Sequence, residues 1–251
     1  MDFSIQSIIF GLLSALFFGM SKTGIPGGSI PGVLLMTLAF PGMEKFSTGA
    51  VVPLLIVGDL FAVRYYRHTA DWKRIRLLLP SVFIGLLFGT AFLWMIDNVT
   101  FKIFLGVMIL VLIAFEEVRR RLQWNTFPKS RLFAWSMGLL SGFTTQTGNA
   151  AGPVMSVYLS AQNMEKKDFM GTWSVFFFIV NVSKLPLISG FIPGFSTLTR
   201  ETLLFDLVVL PALLIGVFIG RQIFKWIPER YFVPLIMILN LLVPIQMLVF
   251  R

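Results

Sequence analysis

Residues 19–32 read GMSKTGIPGGSIPG and lie between two apolar runs, Ile5 to Phe18 upstream and Val33 to Phe40 downstream. Five glycines, two prolines and one lysine share this short stretch. Glycine and proline disfavour a helix interior by about 1 and 3 kcal/mol per residue. A charge at the centre of a membrane span costs about 2.5–3.5 kcal/mol on insertion scales. A chain that interrupts an apolar segment and sets Lys22 at the interruption must have a use for both.

The surrounding sequence sets the context. Of 251 residues, 56% are hydrophobic and 13% charged, and the mean hydropathy is +0.83. Soluble domains carry about twice that share of charge. Apolar runs recur along the whole length, so the chain reads as an all-α polytopic membrane protein without a soluble domain. Ten segments can be drawn, at 5–20, 29–40, 46–63, 77–96, 101–116, 132–145, 150–161, 169–190, 202–224 and 231–250. A full crossing takes about 20 residues. Segments 5–20, 29–40, 132–145 and 150–161 fall short of it and read as broken or re-entrant helices; whether they cross is left open. The first twenty residues lack the basic start of a signal peptide and carry Asp2 instead, so they are read as a membrane segment of the mature protein.

Cysteine is absent and His68 is the single histidine. Disulfides and thiolate metal sites are therefore excluded, and no metal or cofactor is expected. The net charge of +9 does not point to nucleic acid, because the basic residues cluster in short stretches between apolar runs, as the positive-inside rule requires. Residues 64–76 and 117–131 hold five Lys/Arg each and are expected in the cytoplasm, which puts both chain termini outside. His68 reads as a residue of the first of these loops. Trp72, Trp124 and Trp226 lie beside basic loops, where interfacial anchors belong.

The two halves of the chain resemble each other. Gly11-Leu12-Leu13-Ser14 recurs as Gly138-Leu139-Leu140-Ser141, Thr23-Gly24 as Thr147-Gly148, and Pro31 as Pro153. Pro80-x4-Gly85-x3-Gly89 recurs as Pro211-x4-Gly216-x3-Gly220, and the glycine pairs read as small-residue faces for close helix packing. These matches define a repeat of about 125 residues: repeat one at 1–121, a cytoplasmic connection at 122–131 and repeat two at 132–251. The basic 64–76 is expected inside and its sparsely charged counterpart 191–201 outside, so the repeats have inverted topology. In such folds the substrate site lies near the midplane, where broken helices meet.

The counterpart of the opening stretch is Gly142 to Pro153, again small, polar and glycine-rich, and again before a short helix. A helix N-terminus presents free N–H groups and a partial positive charge, and so attracts anions. Ser21, Thr23, Ser29, Thr144, Thr147 and Asn149 add donors; the plainer alternative is a pair of ordinary helix breaks with prolines at helix starts. Lys22 supplies a positive charge, unless it snorkels to the cytoplasmic interface. Asp59 and Lys184 lie inside apolar helices in corresponding regions of the repeats. Asn181, three residues before Lys184, shares a helix face with it. Asp59 is expected either to pair with a lysine or to carry a proton, and Lys184 either to meet the anion or to snorkel.

With these residues in place, GMSKTGIPGG, LLIVGDLFAVRYYRH followed by Trp72, the two Pro-x4-Gly-x3-Gly motifs and GTWSVFFFIVNVSKLP resemble the TauE/SafE sulfite exporter family over nearly the whole chain. The resemblance implies a bacterial inner-membrane permease exporting sulfite, sulfoacetate or a related sulfur-containing organic anion. Carried over by position, Lys22, Thr23 and Gly24 match the first-repeat motif, Asp59 the acidic position, and Asn181 and Lys184 the second-repeat helix. Lys22 and Lys184 are then expected as charge partners of the anion and Asn181 as a donor. Gly27, Gly28, Gly148 and Asn149 are expected as donors at the helix termini, and Gly24 is counted with Lys22 and Thr23 in the substrate site. TTQTGN in repeat two lacks a lysine matching Lys22, so the site is expected to be chemically asymmetric.

An interior-negative potential drives anions outward by about 2.3 kcal/mol per charge per 100 mV, so export of sulfite needs no coupled proton. No catalytic constellation or nucleotide motif occurs, so no enzyme is expected. The remaining alternatives are a proton- or sodium-coupled carrier of another small organic anion, a fixed-pore channel, and a non-transporting membrane subunit. The sequence leaves the oligomeric state open.

Overall fold

The computed structural model describes residues 3–26, 29–121, 130–190, 195–228 and 230–231. Gly27, Gly28, Trp124, most of the 122–131 connection and the segment expected at 231–250 lie outside the described residues.

The described chain is helical throughout its length: α1 (Ile5–Thr23), α2 (Ile30–Ala39), α3 (Phe46–Tyr66), α4 (Trp72–Met95), α5 (Asn98–Arg121), α6 (Arg131–Gly148), α7 (Gly152–Ser160), α8 (Lys166–Ile188) and α9 (Arg200–Trp226). Side-chain caps mark many of the starts. Ser4, Asp71 and Ser130 accept from the third N–H of α1, α4 and α6, and Thr199 forms a reciprocal capping box with Thr202. Each cap satisfies a donor that the helix itself leaves open. Among the described residues, five stretches are long and apolar enough to cross a membrane: Ile5–Thr23, Phe46–Thr69, Trp72–Met95, Lys166–Ile188 and Arg200–Trp226. The protein is a multi-pass, all-helical membrane protein.

The helix ends differ from those read off the sequence. α1 runs through Ser21, Lys22 and Thr23, so it has 19 residues and the length of a span. α6 runs to Gly148 and has 18. The polar hydroxyls find acceptors without leaving the helix: Thr144 Oγ1 donates to Leu140 O, Thr147 Oγ1 to Phe143 O, and Thr23 Oγ1 across to Val217 O. The breaks shrink to residues 24–29 and 149–151. Beyond them α2 and α7 are short, with 10 and 9 residues, as expected. The basic run 64–76 is mostly helix, made of the end of α3, a 3-10 turn over Arg67–Thr69 and the start of α4.

Glycines set which helices touch. α1 lies along α9 and α4 along α6. A Cβ at Gly19 would strike Leu213 O, and one at Gly216 would strike Leu16 O. In the other pair, a Cβ at Gly142 would strike Val82 O, and one at Gly85 would strike Leu139 O. The Pro-x4-Gly-x3-Gly motifs thus do the same work twice, letting backbones approach where any side chain would force them apart. Both pairs are parallel: Gly11 meets Phe205 and Val209 while Gly24 meets Gly220, and Gly138 meets Leu78 and Ser81 while Gly89 meets Gln146.

Between these pairs α3 crosses α8 antiparallel. Thr69 Oγ1, past the end of α3, donates to Lys167 O near the start of α8 (2.7 Å), and Asp59 meets Asn181 further along both. α2 folds back on α1, tied by Ser14 Oγ donating to Gly32 O (2.6 Å), with the ring of Phe18 packed on Gly32.

Candidate functional site

The last turn of α1, the middle of α3 and the middle of α8 converge on Asp59, which is fully buried. Lys22 Nζ lies 2.7 Å from Asp59 Oδ1, with 7% of the lysine side chain exposed. Asn181 Nδ2 donates to Asp59 Oδ2 at 2.7 Å. The ammonium of Lys22 also sits 5.0 Å from the centroid of the Phe177 ring, within cation–π range. Gly58 leaves room for the aliphatic stem of Lys22. A lone charge here would lack solvent; the pair and the amide supply the counter-charge and the hydrogen bond that burial demands.

A second constellation forms at the end of α6. Lys184 Nζ donates to Thr145 O (2.8 Å) and to Asn149 Oδ1 (2.5 Å), and lies 3.5 Å from Thr145 Oγ1. Its cation closes the carbonyl end of α6, where the helix dipole favours positive charge. Asn149 adopts the left-handed conformation (φ 53°), which asparagine tolerates and which commonly ends a helix. Its Nδ2 donates to Thr48 O of α3 at 3.1 Å. Lys184 does not reach an interface: it is 1% exposed.

The two constellations share one small cavity of about 20 Å³, lined by Ser21, Lys22, Ser29, Thr145, Asn149 and Asn181 on its polar side. Gly152, at the start of α7, also lines it, and Phe18, Leu55, Trp173 and Phe177 complete the wall. Ser29 is the cap position of α2, so the starts of both short helices border the same space. That volume suits about one water molecule. A smaller cavity of about 10 Å³ lies beyond Phe18 and Asn149, both of which line it too, along with Thr37, Ser47, Thr48 and Gly148.

The residues expected from the sequence are thus partly gathered. Lys22, Ser29, Asn149 and Asn181 line the main cavity, and Asp59 and Lys184 hold its lining in place. Thr23, Gly24, Thr144 and Thr147 are engaged elsewhere. Thr23 Oγ1 donates to Val217 O of α9 at 2.7 Å, Gly24 packs on Gly220, and the other two hydroxyls close on their own helix. Gly27 and Gly28 lie outside the described residues. Sequence reasoning passed over Thr145, whose carbonyl anchors Lys184, and the aromatic wall of Phe18, Trp173 and Phe177. Trp173 and Phe177 share an i, i+4 face with Asn181, and Asn181 with Lys184 nearly so; that periodicity carries the signal.

A charged cavity between broken helices of a multi-pass protein is the arrangement of a membrane transporter. The family model for Sulfite exporter TauE/SafE matches residues 7–247, nearly the whole chain, and the protein belongs to that family. No curated protein and no solved structure matches the chain. Membership makes it a permease of the sulfite-exporter type rather than an enzyme.

Proposed function

We propose that the protein exports sulfite or a related small sulfur-containing anion, such as a sulfonate or sulfoacetate, by alternating access, binding it in the cavity beside Lys22. The observation that carries this reading is the convergence of Lys22 and the starts of α2 and α7 on one small cavity. In this reading Asp59 is a resident counter-anion. An arriving oxyanion takes the ammonium of Lys22, Asp59 keeps its bond from Asn181, and Ser21, Ser29 and free N–H groups of α2 and α7 complete the donor set. A sulfur oxyanion needs more room than one water, so Phe18, Phe177 or the short helices must shift to admit it.

The halves 1–121 and 132–251, joined by 122–131, are proposed as inverted-topology repeats. The reciprocal pairing of α1 with α9 and α4 with α6, and the antiparallel crossing of α3 and α8, support this. Rocking one bundle, built on α1 with α9, against the other, built on α4 with α6, then opens the cavity to alternate sides. The membrane is proposed to be a bacterial inner membrane with both termini outside, on the charge distribution. Its potential drives a dianion outward by about twice 2.3 kcal/mol per 100 mV.

Release of sulfite from proteoliposomes under an imposed potential tests the reading. Saturable release that is lost in Lys22→Gln is expected. Undiminished release in that variant would remove Lys22 from the site, and no release from folded wild type would send the search to other anions.

One observation favours a proton-coupled carrier as the second reading. Asp206 of α9 is 5% exposed, and neither carboxylate oxygen has a hydrogen-bond partner among the described residues. A proton there would relieve the cost of a lone buried charge. Flux driven by a pH gradient alone, and abolished in Asp206→Asn, would establish it.

A further inference from the structure

Away from the transport site, the outer surface between α4 and α6 holds a groove of about 480 Å³ lined by Arg76, Leu77, Pro80, Arg131, Leu132 and Trp135. Its polar groups are two guanidinia from two different helices. Neither arginine is in an ion pair or hydrogen bond among the described residues, and the groove lining contains no acid. The neighbouring Arg74, by contrast, is taken by Asp71 and Gln162. Arg131 opens α6 and Arg76 is the fifth residue of α4. Because the two helices run parallel, with Gly138 against Leu78 and Ser81, both arginines lie at the same end of the fold.

The rest of the lining is apolar and outward-facing. Leu132 is 77% exposed and Trp135 45%. Further along the same two helices, Ile84, Leu87, Leu139 and Leu140 are exposed as well. The surface therefore has positive charge at one end, an amphipathic indole beside it, and a hydrocarbon track leading away. A free inorganic anion matches the first of these features alone; an anionic phospholipid matches all three, its phosphate on the arginines and an acyl chain along the track. The helix starts add a favourable dipole for the phosphate.

We propose that this α4/α6 groove is a specific binding site for an anionic phospholipid. The α4/α6 contact is the one set by Gly85 and Gly142, so an occupied groove braces the outer edge of one helix pair while α1 and α9 form the other. The site reads on lipid binding, not on sulfite, and stands independently of the transport proposal.

The test is native mass spectrometry of the full chain purified in detergent, supplied with phosphatidylglycerol, with phosphatidylcholine, or with inorganic phosphate. Wild type is expected to retain phosphatidylglycerol and neither of the others. Each basic residue at an anionic surface carries roughly a fivefold weight. Arg76→Gln and Arg131→Gln should therefore each reduce retention about fivefold, and the double variant about thirtyfold. Arg200→Gln, at the start of α9, should retain the lipid as wild type does. Phosphatidylglycerol should also raise the Tm of wild type and of Arg200→Gln while leaving that of the double variant unchanged. Equal retention by wild type and the two single variants, or equal retention of phosphatidylcholine, would overturn the assignment, as would binding of phosphate alone with no lipid retained. The single variants keep the test decisive should the double variant fail to fold.

Discussion

At the end of α1 a lysine on the broken helix meets an acid on its neighbour, Lys22 with Asp59. At the end of α6 the broken helix offers a carbonyl and a hydroxyl at Thr145, and the lysine comes from the neighbour, Lys184. Glycine contacts put the two helices in register: Leu16 and Gly19 of α1 play the parts of Leu139 and Gly142 of α6, each pair 123 residues apart. In that register Lys22 corresponds to Thr145, whereas the neighbours' charged residues, Asp59 and Lys184, are 125 residues apart and do not share it. The difference is one of chemistry. Lys184 is held by carbonyl and amide oxygens that belong to the end of α6. Lys22 is held by a carboxylate, and in the proposed function an arriving oxyanion replaces it. The carbonyl end of α1 is closed separately, by Tyr66 Oη donating to Thr23 O at 2.8 Å, so Lys22 has no part in closing it.

The sharpest way to break this comparison is to remove one charge of the pair. Asp59→Ala strands Lys22 in a buried site and should cost about 3–5 kcal/mol of stability. Lys22→Met combined with Asp59→Leu should restore most of that loss, as measured by thermal unfolding in detergent. A double variant no more stable than the singles would mean the two residues are not energetically a pair.

Next in size is transport. Lys22→Gln should lower sulfite flux about a hundredfold, the usual scale for losing one member of a buried charge pair at a binding site. Lys184→Gln should act mainly through stability and leave the flux per folded molecule within about tenfold of wild type. The reverse order would make Lys184 the anion's partner and Lys22 the brace.

The reciprocal packing makes a matched prediction. Gly85→Ala and Gly216→Ala each drive a methyl into a backbone carbonyl of the facing helix, and each should cost roughly 1–3 kcal/mol. Unequal Tm losses would show that the two helix pairs do not carry equal weight. The smallest effect is at Asp206, whose carboxylate oxygens are unpartnered among the described residues. Asp206→Asn should stabilise the protein by about 1 kcal/mol, since an amide is cheaper to bury than a charge. A loss of stability would reveal an interaction made by the carboxylate.

How much of this was legible beforehand varies by residue. The apolar runs, the glycine motifs and the pairing of Asp59 with a lysine follow from composition and spacing, since a buried charge must find a partner. The extent of the breaks does not. Serine and threonine read as loop residues, yet Thr23, Thr144 and Thr147 stay in their helices, with hydroxyls donating to Val217 O, Leu140 O and Phe143 O. The match of Gly11–Ser14 to Gly138–Ser141, 127 residues apart, is one helical turn out of the packing register, because Gly-Leu-Leu-Ser is common material in an apolar helix.

By itself, the sequence determined that this protein lives in a membrane, that its glycine motifs recur, that its segments break twice, and that positive charge is kept near the breaks. Hydropathy, spacing and the cost of burying charge are local properties, and they are written residue by residue. The tertiary structure decided which oxygens each lysine meets. Those oxygens lie within 3 Å of each ammonium and come from helices 35 to 39 residues away in sequence, brought together by glycine contacts that no spacing rule assigns to a partner.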